Sequence, residues 1–126
     1  MERAKVIKEE LAVNEDTRFL AVYVEAKNSV LILLSEKEDK LGTMAIAVPK
    51  PPELLGTATS SILVGDRNMI TARMFAEHVA AKKGKIAMVS VYLEKITEAE
   101  AQKFFMRLLE KVMMAETKKD KEPTPA

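Results

Sequence analysis

The most informative segment for the fold is KIAMVSVYL at residues 85–93, followed at residues 97–116 by TEAEAQKFFMRLLEKVMMAE. The first segment is apolar at both odd and even positions, which is typical of a central strand that is covered on both faces. The second opens with Thr97 and Glu100 at the spacing of a capping box, in which the threonine hydroxyl accepts the amide hydrogen of residue 100 and the glutamate reaches back. Its apolar residues recur at helical spacing: Ala101, Phe104, Phe105, Leu108 and Val112.

A shorter helix is predicted directly before this strand, over residues 69–83. Its apolar stripe recurs at intervals of three and four and consists of Ala72, Phe75, Ala76, Val79 and Ala80. Gly84 is placed to end the helix as a C-terminal cap. At the other end, Gly65 and Asp66 form the turn that leads into the helix, and the side chain of Asp66 or Asn68 is predicted to cap it.

The earlier part of the chain is predicted to form strands, because glycine and proline fall between its apolar runs. These strands cover residues 18–26, 30–34, 43–48 and 59–64, while residues 5–13 fit a strand or a short helix, and we favour a strand. Two parallel strands must be joined by a long crossover, which is usually a helix. Because both predicted helices come late in the chain, most of the strands should pair antiparallel. We predict an α+β fold with five to six strands and both helices on one face of the sheet, flanking the central strand.

The chain of 126 residues is long enough for one core, which we place in residues 1–116. Residues 117–126, TKKDKEPTPA, carry no large apolar side chain and are predicted to be a disordered tail. Lysine and arginine number 20, aspartate and glutamate 19, and the net charge of +1 argues against a nucleic-acid partner. No segment is long and apolar enough to predict a membrane span, and the charged N-terminus is unlike a signal peptide, so we expect a cytoplasmic protein.

Catalytic chemistry is poorly supported by the residues present. Cysteine is absent and His78 is the only histidine, so we expect no metal and no cofactor. His78 with Asp66 as orienting carboxylate is a conceivable general base, and Ser60 or Ser61 a conceivable nucleophile, but no GxSxG elbow surrounds the serines. Acidic residues such as Glu36 and Glu98 are interpreted as solvated surface, and we predict no enzyme.

Two groups of apolar residues are candidates for binding a partner. Leu54 and Leu55 lie in the loop KPPELLG, where they either tuck under the domain or contact another protein. Met106, Met113 and Met114 lie on the last helix, where flexible thioethers either fill the core or form a subunit interface. A third hypothesis is a small-anion site in which the free amides after the Gly65-Asp66 turn hold a ligand.

The segment TSSILVGD at residues 59–66 resembles the Ser/Thr-rich strand ending in Leu-Leu-Gly-Asp of the proteasome assembly chaperone 4 family. The surroundings are also similar: an aliphatic strand at residues 29–35, an Ala-rich strand at residues 44–48, and after the turn a helix, a Lys-bounded strand at residues 85–93 and a closing amphipathic helix. The similarity follows the element order over residues 5–116, with identities concentrated between residues 59 and 93.

This resemblance implies a non-enzymatic chaperone that binds proteasome α subunits and assists assembly of the α ring of the 20S proteasome. The family works through pairing with the related assembly chaperone 3, so the partner would be that chaperone or, in an archaeal homologue rich in Lys and Glu, a second copy of this chain. The helix-free sheet face or a sheet edge would make one of the contacts. The alternative is a homodimeric α+β scaffold or adaptor without a link to the proteasome.

Overall fold

The computed structural model describes residues 3–50 and 59–121, with the side chains of the last six of these excepted. Over these residues the chain forms six strands and two helices. The strands are β1 (Lys5–Ala12), β2 (Arg18–Glu25), β3 (Ser29–Glu36), β4 (Thr43–Val48), β5 (Thr59–Val64) and β6 (Ile86–Tyr92), and the helices are α1 (Met69–Lys83) and α2 (Glu98–Lys121).

The strands form a single mixed sheet in the order β1-β2-β3-β6-β4-β5. Only the β3–β6 pair is parallel among the pairs of the described strands, with Leu31 opposite Met88, and all others are antiparallel. The predicted α+β class is therefore confirmed, and so is the central position of β6, which is inserted between β3 and β4. Residues 5–12 form an edge strand, which settles the choice between strand and helix.

Both helices pack on one face of the sheet and enclose the core. α2 lies over β1 and β2, whereas α1 lies over β4, β5 and β6, so only α1 flanks the central strand. Phe19 on β2 joins the sheet to α2, because its ring stacks on Phe104 at a centroid distance of 5.2 Å and meets Phe105 edge-on at 5.1 Å. The largest fully buried side chains are Tyr23, Phe19, Phe75, Phe105, Ile32, Leu34, Leu108 and Leu109.

The C-terminal end of α1 and the N-terminal end of α2 follow the predicted signals. Gly84 adopts the left-handed conformation at φ 66° after α1, and its amide donates to the Ala80 carbonyl at 2.9 Å, as a C-terminal cap does. The amide of Glu100 donates to Thr97 Oγ1 at 3.3 Å, which is the first bond of the capping box. α2 continues to Lys121, past residue 116 where the apolar pattern ends, since no glycine or proline interrupts the backbone before residue 123. Residues 122–126 lie outside the described residues.

A buried carboxylate ties β2 to the junction of α1 and β6. Glu25 is only 6% exposed; it accepts hydrogen bonds from Tyr23 Oη at 2.8 Å and Lys85 Nζ at 2.6 Å, and it pairs with Lys83 Nζ at 3.4 Å. Burial raises its pKa, but the hydrogen bonds from Lys85 and Tyr23 and the two lysine charges outweigh burial and hold the pKa of Glu25 below its ordinary value.

Candidate partner-binding surfaces

The sheet face opposite the helices is apolar over β2, β3, β6 and β4, is charged at Lys8 and Glu10 of β1, and carries no element among the described residues. We call it the open sheet face. Register places Leu31 of β3 and Ile46 of β4 on the two sides of Met88, and all three are half-buried. The other apolar members of this face are Leu20, Val22, Val24, Leu33, Met44 and Ile86, with Val6, Val48 and Val64 about half exposed at its margins.

The two central strands of the sheet are apolar on both sides, although helices cover only one side. In β3 and β6 the helix-facing residues are fully buried, whereas Leu31, Leu33 and Met88 on the open sheet face keep contact with solvent. The expectation that β6 is covered on both faces is thus wrong for the isolated chain. Strands of this composition are normally buried on both sides, so the open sheet face has the chemistry of an interior.

The loop at residues 37–42 folds over one end of the open sheet face. Ser35 Oγ donates to the Lys40 carbonyl and accepts its amide, each at 3.1 Å, while the Gly42 amide donates to Ser90 Oγ at 2.8 Å. Both serines are fully buried beneath this loop. A Cβ at Gly42 would overlap the backbone of Val91, so the close approach requires glycine. Leu41 at the tip is 60% exposed, which extends the apolar surface onto the loop.

The Gly65-Asp66 turn sets the direction of α1. Gly65 has φ 91°, and a Cβ there would lie 2.8 Å from Cα of Thr43, so the turn needs glycine for both conformation and space. The predicted side-chain cap is wrong. Asn68 occupies the N-cap position in the left-handed conformation without a side-chain capping bond, and Asp66 is exposed.

The start of α1 is capped instead by a side chain of α2. Glu98 Oε1 accepts the Thr71 amide at 2.9 Å and the Thr71 hydroxyl at 2.6 Å, and the same hydroxyl accepts from Gln102 Nε2 at 2.8 Å. A carboxylate of this chain thereby takes the place that a bound anion would have at the helix N-terminus. This arrangement weighs against the small-anion hypothesis.

A second buried carboxylate holds the chain between β6 and α2. Glu36, only 6% exposed at the end of β3, accepts the backbone amides of Glu94, Lys95 and Ile96 at 3.0 to 3.2 Å. Successive amides that point inward form an anion-binding concavity, here filled from within. The interpretation of Glu36 and Glu98 as solvated surface was wrong, because both carboxylates accept backbone amides. Local patterns could not show this, since the partners of Glu36 lie 58 to 60 residues away and that of Glu98 lies 27 residues away.

Of the residues predicted for partner binding, the structure describes the three methionines of α2. Leu54 and Leu55 are outside the described residues. Met113 is a core residue, 6% exposed, and Met106 is half-buried against that core, so only Met114, 61% exposed, is readily available to a partner. Met106 and Met113 both contact the core because they are seven residues apart, about two helical turns, and therefore share the buried face of α2.

The structure does not assemble the catalytic hypothesis. His78 is half-buried on α1, and Asp66 precedes the start of this helix, so nine helical residues, or about 14 Å along the axis, separate the two. Ser60 is engaged by α1, since its Oγ donates to Glu77 Oε2 at 2.7 Å and accepts from Arg73 Nε at 3.1 Å. Among the side chains that the structure describes, residues 3–50 and 59–115, there is no group of three acidic, histidine or cysteine residues that could hold a metal ion. Neither described helix has an apolar stretch long enough to cross a membrane.

Comparisons with known proteins support the fold. No family model and no curated protein matches the sequence. Among solved structures, the fold is similar to a chain of a novel chaperone complex for yeast 20S proteasome assembly, with a TM-score of 0.63 and 12% sequence identity. The similarity covers 91% of this chain and 96% of the yeast chain, so it extends over essentially the whole fold.

Proposed function

We propose that this protein is a non-enzymatic chaperone that assists 20S proteasome assembly by binding α subunits as their ring forms. The observation that carries the proposal is the whole-chain similarity to a chain of the yeast assembly-chaperone complex. The resemblance of residues 59–66 to the assembly chaperone 4 family is a second, independent support. Binding surfaces alone perform this function, and no chemical step is involved.

The open sheet face supports the second part of the proposal, which is that the protein works as a homodimer. Six strands spaced by about 4.8 Å, with about six residues each at 3.3 Å, give an area of roughly 24 by 20 Å. Side chains that project from the sheet and the loop with Leu41 add to this area. The total approaches the buried area of about 600 Å² per partner at the low end of stable interfaces. Two such faces can pack about 10 Å apart, as the sheets of a sandwich do, which would bury Leu31 and Met88 on both sides.

A binding chaperone needs only a difference in affinity between assembly states. The dimer must bind incomplete α assemblies more tightly than finished particles, and lose contacts or clash when later subunits arrive. A dimer of the same fold without affinity for α subunits would act as a scaffold or adaptor, which is the alternative function.

Native mass spectrometry tests both parts with purified α subunits from the same source. We expect a homodimer alone, defined complexes with α subunits or α rings, and no chaperone in completed 20S particles. Leu31→Lys, on the open sheet face, should yield monomers, whereas Met114→Lys, an equally charged change at an exposed site on α2, should not. A dimer without any α-associated species would support the scaffold, and a monomeric wild type at micromolar concentration would refute the sheet-face dimer.

A further inference from the structure

The two ends of the open sheet face differ in shape. At one end, which we call the loop end, the loop at residues 37–42 lies on the face itself and covers the fully buried Ser35 of β3 and Ser90 of β6. At the other end, which we call the far end, lie the turn between β2 and β3 and the end of β4. There Ile86 is only half-buried and Val48 is 51% exposed. The open sheet face is therefore raised at the loop end and accessible at the far end.

The height of the loop restricts how two copies of this face can pack. Two sheets that pack face to face lie about 10 Å apart. The loop backbone bonds to the serine hydroxyls at 2.8 to 3.1 Å and so lies roughly 5 Å above the sheet. Two such loops, one on top of the other, would fill the gap before their side chains are counted. The loop of one copy therefore cannot lie opposite the loop of the other.

Symmetry leaves two arrangements for an aligned pair of sheets. The two-fold axis between them runs either along the strands or across them. With the axis along the strands, both loop ends come together and the two loops collide, because each crosses from β3 to β4 over the central β6. With the axis across the strands, each loop lies over the far end of the other copy. The shape of the face favours the second arrangement.

The charges at the two ends support the same arrangement independently. Among the described residues, the exposed charges of the far end are all cations: Arg3, Lys27, Lys50 and Lys82. The carboxylate at that end, Glu25, is buried and bonded to Lys85. The loop end carries both signs, and its exposed carboxylates include Glu15, Asp16, Glu38, Asp39 and Glu94. An axis along the strands would bring two cationic far ends together, whereas an axis across them places each near carboxylates of the other copy.

We infer that two copies of this chain pack through their open sheet faces around a two-fold axis that runs across the strands close to Met88. This inference rests on the proposed homodimer and gives it a geometry. Pairing across the sheet places Val6 of β1 and Ser61 of β5 level with Met88. The axis therefore passes near all three residues, and it sets β1 against β1 and β5 against β5 of the second copy.

This axis gives the loop specific neighbours in the second copy. Leu41, 60% exposed, lies over the far end of the other face, near its Ile86. Asp39 lies on the β2 side of the loop, where it lines a depression of about 430 Å³ over β1 and β2. It therefore faces Lys27, which is exposed in the turn between β2 and β3.

Cross-linking distinguishes the two axes, because the sequence contains no cysteine that could react elsewhere. Val6→Cys and Ser61→Cys each place a thiol at an exposed margin of the open sheet face. We expect a short bismaleimide to join each variant to itself, and not to join Met114→Cys, an exposed control on α2. With the axis along the strands, the two copies of either thiol lie about 24 Å apart, which is five strand spacings. Only a mixture of the two variants would then be joined.

Charge reversal tests the contact between the loop and the far end. Lys27→Glu and Asp39→Lys should each raise the dissociation constant of the dimer at low salt, and combining them should restore it to within about twofold of the wild type. Because a two-fold dimer makes each contact twice, we expect an increase of about fivefold for each single variant. Lys82→Glu makes the same charge change on α1, on the other side of the sheet, and should leave the dissociation constant unchanged.

The outcomes separate the axis from the homodimer on which it rests. Cross-linking in the mixture alone would overturn the axis across the strands and leave the sheet-face dimer standing. A dimer in native mass spectrometry that is joined at neither margin would overturn the axis and the sheet-face interface together. A monomeric wild type would refute the homodimer and this inference with it. Binding to α subunits is a separate readout, on which none of these outcomes depends.

Discussion

Replacing Glu36 should destabilise the protein more than its position near an exposed loop implies. The carboxylate holds the amides of Glu94, Lys95 and Ile96, the residues that lead into α2. Hydrogen bonds to a charged group contribute about 1.5 to 3 kcal/mol each, but the exposed ends of this loop regain water when the bonds are lost. For Glu36→Ala we therefore expect a loss of about 3 to 4 kcal/mol in the free energy of unfolding.

The isosteric change Glu36→Gln separates charge from geometry. Glu36 Oε1 accepts all three amides, so a glutamine oxygen in that place retains this acceptor without the charge. The glutamine NH2 group would replace Oε2 and give up its longer hydrogen bond from the Lys95 amide at 3.2 Å. We expect a cost of about 1 to 1.5 kcal/mol. Urea unfolding followed by far-UV circular dichroism measures both variants, and at this chain length each kcal/mol lowers the melting temperature by about 3 to 5 °C.

A matched control is the neighbouring acid Glu38, whose ion pair with Lys40 at 3.7 Å is exposed. Glu38→Ala should change the unfolding free energy by less than about 0.5 kcal/mol. The reasoning fails if Glu36→Ala also stays within about 0.5 kcal/mol of the wild type, because the three amides would then not depend on the carboxylate.

Three further predictions concern the supports of the fold. The folded-state pKa of Glu25 is below its ordinary value of 4.5, so its ionised form stabilises the protein above that pH and this contribution is lost as the pH falls through the lower folded value. Glu25→Gln should therefore reduce stability at pH 7 and flatten its decline below about pH 5 in acid titrations of unfolding; an unchanged slope would contradict this. Glu98→Ala should cost about 1 to 2 kcal/mol by uncapping Thr71, with faster amide hydrogen exchange confined to the first turn of α1; uniform exchange would count against the cap. Gly65→Ala should cost more than about 1 kcal/mol in thermal unfolding, because φ is positive and a Cβ meets Thr43; an unchanged melting temperature would show that the turn has another solution.

Local patterns predicted most of the fold because most of its boundaries depend on short-range chemistry. Gly84 ends α1 and Thr97 starts α2 in the predicted manner, since each cap is made within a few residues of the chain. The α1 cap was predicted wrongly for the same reason. A search near Asp66 and Asn68 cannot find Glu98, which lies thirty residues further on.

The candidate binding surfaces were also predicted only in part from the sequence. The chaperone resemblance came from residues 59–66, and the alternating apolar residues of β2, β3 and β6 were visible in the sequence. Which methionines face solvent was not visible, and Met113 proved to be part of the core. The exposure of Ile70 and Met74 on α1 was also missed, because both look like ordinary members of a mostly apolar helix until its packing is known.

Local patterns in the sequence were enough to predict the strands, the two helices and the α+β class, because periodicity and backbone-breaking residues act over a few positions. The strand order, with β6 inserted between β3 and β4, and the distant hydrogen-bond partners of the buried Glu36 and the half-buried Glu98 became visible only in the folded chain. The placement of both described helices on one face was predicted, and the tertiary structure showed which apolar side chains line the other face. These features depend on contacts between distant parts of the chain, whose free energy is shared among many residues and leaves no local pattern.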